Sequence, residues 1–183
     1  MACYSAGPDD TTVMGSLNTL AELVIQRLDL ARDVAAMKYE SGRPIEDSGR
    51  EQELLESVAR ALDGPEERRE AALQFARDQI EANKVIQREL FQRWYAHPEE
   101  VPATYRDLAE EIRPQLNVIT SRMLREFTRM DEVPRVSGLE IRRLTESQLE
   151  AIRPVPELPG LHRNAALFAL RTFVRPAAAG PDW

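Results

Sequence analysis

Arg27 and Lys38 stand eleven residues apart, and at 100° per residue that spacing returns both to nearly the same side of one helix. Leu20, Leu23, Val24, Ala31 and Val34 share that side, so two cations fall inside an apolar stripe instead of opposite it. Arg50 repeats the pattern in a second segment, where Leu54, Val58 and Ala61 continue its side. An unpaired charge in a core is destabilising by several kcal/mol, so inward cations need internal carboxylates or a polar cavity that receives an anion. Asp47 and Glu51 lie near enough in sequence to answer part of that charge. Plainer readings stay open: each cation can snorkel its head to water along the core rim, and Arg50 can form a structural salt bridge with Asp47.

A third segment adds Asn83 and Gln87, one turn apart between Ile80 and Leu90 on an apolar side. Buried amides need partners, which are either each other and the bundle or a bound molecule. Arg113 directly precedes Pro114, so its facing depends on how the proline bends the chain. Such an inventory suits holding a small polyanion by charge and hydrogen bonds. It does not suit nucleophilic or metal chemistry: with His97 and His162 the only histidines, the count argues against a Ser-His-Asp triad or a multi-histidine metal site, and Cys3 as the only cysteine leaves no zinc cluster, intramolecular disulfide or dithiol pair to build. Both histidines are expected at the surface or at helix ends.

A net charge of -7 argues against a nucleic-acid binder, since phosphate neutralisation needs a basic face. No window of about 18 apolar residues suggests a membrane span, and Met1 to Thr12 lacks the charged start and apolar run of a signal peptide. That opening reads as a flexible tail, or as a mature N-terminus left by export. Cys3 after Ala2 is then either an incidental tail cysteine or the remnant of a lipoprotein cleavage site.

The elements that must position these residues are helical. Long runs rich in Ala, Leu, Glu and Arg, with only 8 glycines in 183 residues, favour an all-α fold: one domain over residues 13–175, with tails at 1–12 and 176–183. Apolar periodicity predicts one long helix from Val13 to Glu40, ended by Gly42, Arg43 and Pro44. Ser48 and Glu51 read as a capping box for a second helix from Glu51 to Leu62, stopped by Gly64 and Pro65. Pro65, Glu66 and Glu67 open a third, with Ala72, Phe75, Ala76, Ile80, Ile86, Leu90, Phe91 and Trp94 along one side up to His97. Thr104 with Asp107 resembles a cap for a fourth segment through Leu108, Ile112, Leu116, Ile119, Met123 and Phe127, kinked at Pro114 and packed antiparallel to the third. Beyond Pro134 the pattern weakens to a short helix from Glu146 to Ile152, a proline-rich turn from Pro154 to Pro159, and a final helix from Leu161 to Val174.

Taken in order, these pieces resemble the all-helical chorismate mutases, and within them the exported gamma subclass. The resemblance rests on Arg27, the run Ala35-Ala36-Met37-Lys38, Pro44 through Arg50, Asp78-Gln79-Ile80 with Asn83 and Gln87, and Arg122-Met123-Leu124, and it extends from Leu17 to Leu124. It implies three long helices around an active site plus C-terminal helices. It also implies a homodimer, no cofactor or metal, and the conversion of chorismate to prephenate in a periplasmic or secreted location, with the cytoplasm as the alternative. By the resemblance, Arg27, Arg50 and Arg113 grip the substrate carboxylates, and Lys38 and Gln87 reach the ether oxygen. Asp47 and Glu51 lie by the ring hydroxyl and Asn83 beside a carboxylate. A disulfide found in some gamma members cannot form with one cysteine.

Two competitors use the same inventory. An isochorismate pyruvate-lyase would eliminate pyruvate from a related dianion in a similar helical pocket; the acidic pair Asp47 and Glu51 favours the mutase. A noncatalytic helical sensor would bind an aromatic-pathway metabolite without turnover.

Overall fold

A computed structural model describes residues 10–130, 132–151 and 159–175. Seven α-helices run through them: α1 Asp10–Asp29, α2 Ala31–Glu40, α3 Ser48–Ala61, α4 Glu66–Ala96, α5 Arg113–Arg129, α6 Gly138–Ala151 and α7 Pro159–Ala169. The all-helical expectation holds. Among the described residues the only β pairing is one bridge between Val136 and Val174. No helix there is long and apolar enough to cross a membrane. Cys3, Ile152 and Pro154 lie outside the described residues.

The predicted helix from Val13 to Glu40 is two helices, interrupted at Leu30. Leu30 keeps right-handed helical angles (φ -71°, ψ -15°), and Val34 still donates its N–H to the Leu30 carbonyl at 3.2 Å, so the interruption is a local loss of regularity. Leu28, Leu30 and Ala31 are all buried, and the apolar face runs on across the junction.

Two caps fall on aspartates, not on the hydroxyls expected. Asp47 Oδ1 accepts the Arg50 N–H at 3.1 Å while Glu51 Oε1 accepts the Asp47 N–H at 3.2 Å, so Ser48 lies inside α3. Asp107 displaces Thr104 in the same way, accepting from Ala109 and Glu110, with Glu111 returning to its N–H at 2.8 Å. A carboxylate is the stronger acceptor and complements the positive helix end. Before α5 the chain makes a π turn, Leu108–Ile112, with Ile112 donating to the Asp107 carbonyl at 2.9 Å. The wider turn relieves the clash that the Pro114 ring would make with the carbonyl four residues earlier.

The expected pairing of the third and fourth segments is largely replaced. α4 packs on α2, α3 and α7, whereas α5 lies chiefly along α1. Ala165, Ala166 and Ala169 of α7 are buried and small, which lets that helix approach α4 closely. Contact between the α4 and α5 sides persists through Phe75 and Phe127, whose ring centroids are 5.4 Å apart, with Phe173 completing the cluster.

The C-terminal region is more regular than its periodicity suggests. α6 starts at Gly138, well before Glu146, because Ser137 and Glu140 form a capping box: the Glu140 carboxylate accepts the Ser137 N–H at 2.8 Å and Ser137 Oγ accepts the Glu140 N–H at 3.2 Å. α7 ends at Ala169 and passes into a 3-10 turn, Arg171–Phe173, instead of running helical to Val174. His97 caps the end of α4 as expected, but His162 is buried within α7. Asp78 of α4, 1% exposed, receives both arms of the Arg171 guanidinium at 2.7 and 2.9 Å, which fastens this region to the helix that carries the amides.

Candidate active site

A cleft of about 350 Å³ opens between α1, α2, α3, α4 and α5, within the size range of small-molecule sites. Arg27, Lys38, Asp47, Arg50, Glu51, Asn83, Gln87 and Arg113 all line it. The structure thus brings together every residue that the sequence singled out for chemistry.

Arg27 occupies the last turn of α1 and is only 8% exposed. Burial lowers its pKa to about 10, and its Nε–H has no acceptor. No ion pair to it forms among the described residues. The charge is held in place by the packed face of α1, which keeps a cation on the cleft wall ready for an anion.

Lys38 ends α2, half-buried, and its Nζ donates to the Ile45 carbonyl at 2.5 Å. Burial pulls its pKa down while Asp47, Glu46 and Glu51 oppose that shift. Ile45 reaches Lys38 because α2 closes in a Schellman turn: Arg43 donates to the Lys38 carbonyl at 2.9 Å, Gly42 to the Tyr39 carbonyl at 3.3 Å, and Gly42 sits at φ +65°. The turn sends the chain back across the cleft and delivers Asp47, Arg50 and Glu51 at the head of α3.

Arg50 corrects the sequence reading. Its side chain is 48% exposed at the cleft mouth and pairs with Glu53 at 2.8 Å, while Ala61, expected on its buried side, is exposed. The Asp47 carboxylate engages the Arg50 backbone N–H, and its capping role accounts for its orientation. Only Val58 on that side is buried; α3 lies at the surface and wets most of its face.

The two amides face each other on α4. Gln87 Nε2 donates to Asn83 Oδ1 at 2.6 Å, and Gln87, 4% exposed, leaves its Oε1 without a partner. Arg113 enters the cleft from the first turn of α5, with Leu108, Leu116, Asn117 and Thr120 beside it in the lining.

Lys84 was missed from sequence. It lies between the amides, is buried, and bridges Glu51 at 2.8 Å and Glu81 at 2.9 Å. Its spacing of three from Gln87 and four from Ile80 places it on the same face, a signal that one lysine among many charges obscured. Asn117, four residues from Arg113, was legible by the same rule. The lining holds five cations, Arg27, Lys38, Arg50, Lys84 and Arg113, against three carboxylates, Asp47, Glu51 and Glu53. The excess of positive charge, with amide donors beside it, suits a compact dianion.

Comparison with known proteins agrees with this geometry. The family model described as chorismate mutase type II matches residues 18–88, the stretch that carries every cleft residue from α1 to α4. A secreted chorismate mutase of Mycolicibacterium smegmatis is 26% identical over 160 residues, covering 85% of this chain and 84% of the relative. One of Mycobacterium tuberculosis is 32% identical over 111 residues, 59% of this chain and 55% of the relative. Among solved structures, a chorismate mutase from Burkholderia phymatum superposes with a TM-score of 0.74 at 25% identity, covering 89% of this chain and 98% of that one. The chorismate mutase from Burkholderia thailandensis gives 0.70 at 29% identity, over 86% and 98%. The type II chorismate mutase pattern is matched from α1 through most of α4, and the fold of the two Burkholderia chorismate mutases extends over most of the chain, so this protein is similar to the type II chorismate mutases in both sequence and all-helical architecture.

Proposed function

We propose that this protein converts chorismate to prephenate, and that the cleft between α1 and α5 is where it does so. The observation that carries the reading is the convergence of three arginines, Lys38 and two amides on one cleft with more cations than carboxylates. The reaction is a concerted rearrangement within one molecule: the ether C–O bond breaks as a new C–C bond forms, and no atom enters or leaves. Positioning and charge stabilisation are sufficient for it.

In this reading Arg27, Arg113 and, at the mouth, Arg50 take the two substrate carboxylates and hold the ring and side chain in a compact chair. Arg50 exchanges Glu53 for a carboxylate as the substrate enters. Lys38 and the Gln87 amide donate to the ether oxygen, where negative charge gathers as the C–O bond lengthens. Asn83 orients Gln87 through the bond between their side chains, and Asp47 and Glu51 lie toward the ring hydroxyl. Incubating the purified protein with chorismate, following the loss of its diene absorbance and identifying the product, tests the proposal. Prephenate supports it; no turnover, or release of pyruvate from isochorismate in its place, overturns it.

The entry of Arg113 from the same chain supports placement in the exported gamma subclass, as do relatives named as secreted chorismate mutases. We extend the proposal to an exported homodimer; fractionation and light scattering test those two parts separately.

A further inference from the structure

We propose that Lys84 is a positioning residue of the site: it neutralises and orients Glu51, so that a carboxylate can face the substrate hydroxyl without repelling the dianion. The inference rests on the chorismate reading above and assigns a role to a residue outside the resemblance.

The observation is a chain of alternating charges joining the head of α3 to α4. Arg88 meets Glu46 at 2.9 Å and Glu81 at 3.8 Å, and Lys84 meets Glu81 at 2.9 Å and Glu51 at 2.8 Å. Glu51 Oε1 accepts the Asp47 N–H, while its Oε2 takes the Lys84 ammonium. Both oxygens are therefore fixed, one by the helix cap and one by Lys84. The Lys84 side chain is 11% exposed and that of Glu51 27%, so water screens this pair less than it does the Arg50–Glu53 pair at the mouth.

Removing the ammonium leaves a carboxylate of the cleft wall without its closest counter-charge and next to an incoming dianion. Substrate binding should suffer first, because like-charge repulsion acts on the bound ground state as well as on the transition state. The other charges around the pair are Lys38 from α2, Glu46 and Asp47 from the connection, Arg50 and Glu53 from α3, Glu81 and Arg88 from α4, Arg27 from α1 and Arg113 from α5.

The test is steady-state kinetics with chorismate for wild type, Lys84→Met, Glu51→Gln and the two combined, with folding checked by circular dichroism. The expected result is a KM raised at least about tenfold by Lys84→Met in the wild-type background, with kcat less affected, and a KM changed by no more than about threefold by Lys84→Met in the Glu51→Gln background. Should Lys84→Met fail to fold, Lys84→Gln, which keeps a donor toward Glu51 but no charge, carries the same expectation. A folded Lys84→Met variant with wild-type KM, or an effect of Lys84→Met on KM as large in the Glu51→Gln background as in the wild type, overturns the proposal by reducing Lys84 to a structural brace. Absence of turnover in the wild type would instead overturn the chorismate reading.

Discussion

Gln87 Nε2 donates to Asn83 Oδ1 at 2.6 Å, one turn apart on α4, and this bond fixes which way the Gln87 amide turns within the cleft. One N–H of Gln87 is committed to Asn83, which leaves one for a ligand.

That division makes pH the informative variable for Gln87. An amide donates at any ordinary pH, whereas a glutamate donates only when protonated and otherwise repels an oxygen gathering negative charge. Gln87→Glu should turn over chorismate best near pH 5 and lose on the order of 10²-fold by pH 8, with Gln87→Ala poor throughout and wild type nearly flat. Rates for the three proteins across that range check it; a Gln87→Glu profile as flat and fast as wild type removes Gln87 from the ether-oxygen role.

Arg50 and Lys38 should separate activity from stability. The Arg50–Glu53 pair is exposed, so Arg50→Ala should change unfolding free energy by no more than about 1 kcal/mol while most activity disappears. Lys38→Ala should also stay folded, with kcat falling more than KM rises. Urea titrations beside kinetics test both; variants that unfold while any folded remainder keeps wild-type rates would make these residues structural.

Arg27 should limit stability. Its folded-state pKa of about 10 lies below the ordinary guanidinium value, so the charged form is destabilised by folding at every pH below about 10, and the penalty lifts as pH rises above that. Replacing it with methionine should raise stability at pH 7 by up to about 3 kcal/mol while abolishing turnover. A lower thermal midpoint in Arg27→Met would mean that its packing outweighs its desolvation.

At the far side of α4, Asp78 and Arg171 should matter for folding alone. Arg171→Ala leaves a buried carboxylate whose remaining partners among the described residues are Gln74 and Thr172, and should cost about 3 kcal/mol in a denaturant titration. Chorismate kinetics measured well below the lowered midpoint should match wild type. A changed KM would show that the C-terminal region reaches the cleft.

Much of the site was legible because helical periodicity converts spacing into direction. Arg27 and Lys38 were assigned to one face by their separation, and they line one cleft even though Leu30 interrupts the helix between them. The Ser137–Glu140 capping box was also readable, yet the weak apolar pattern after it drew α6 too late and too short. Arg50 shows where periodicity misleads. Facing alone cannot report depth, and a helix at the edge of a bundle exposes residues on the side that points inward.

By itself the sequence determined the all-helical class, the surplus of cations and amides over nucleophiles, and the residues that share each helix face, because those follow from composition and a repeat of 3.6 residues. Tertiary structure decided what lies between the helices. The Gly42 turn brought α3 across to Lys38, the turn before Pro114 led into the helix that carries Arg113 to the cleft, and α7 took the flank of α4 that α5 was expected to fill. Lys84 found Glu51 across 33 positions of sequence. Contacts of that range depend on how whole helices pack, and no local pattern of residue types encodes them.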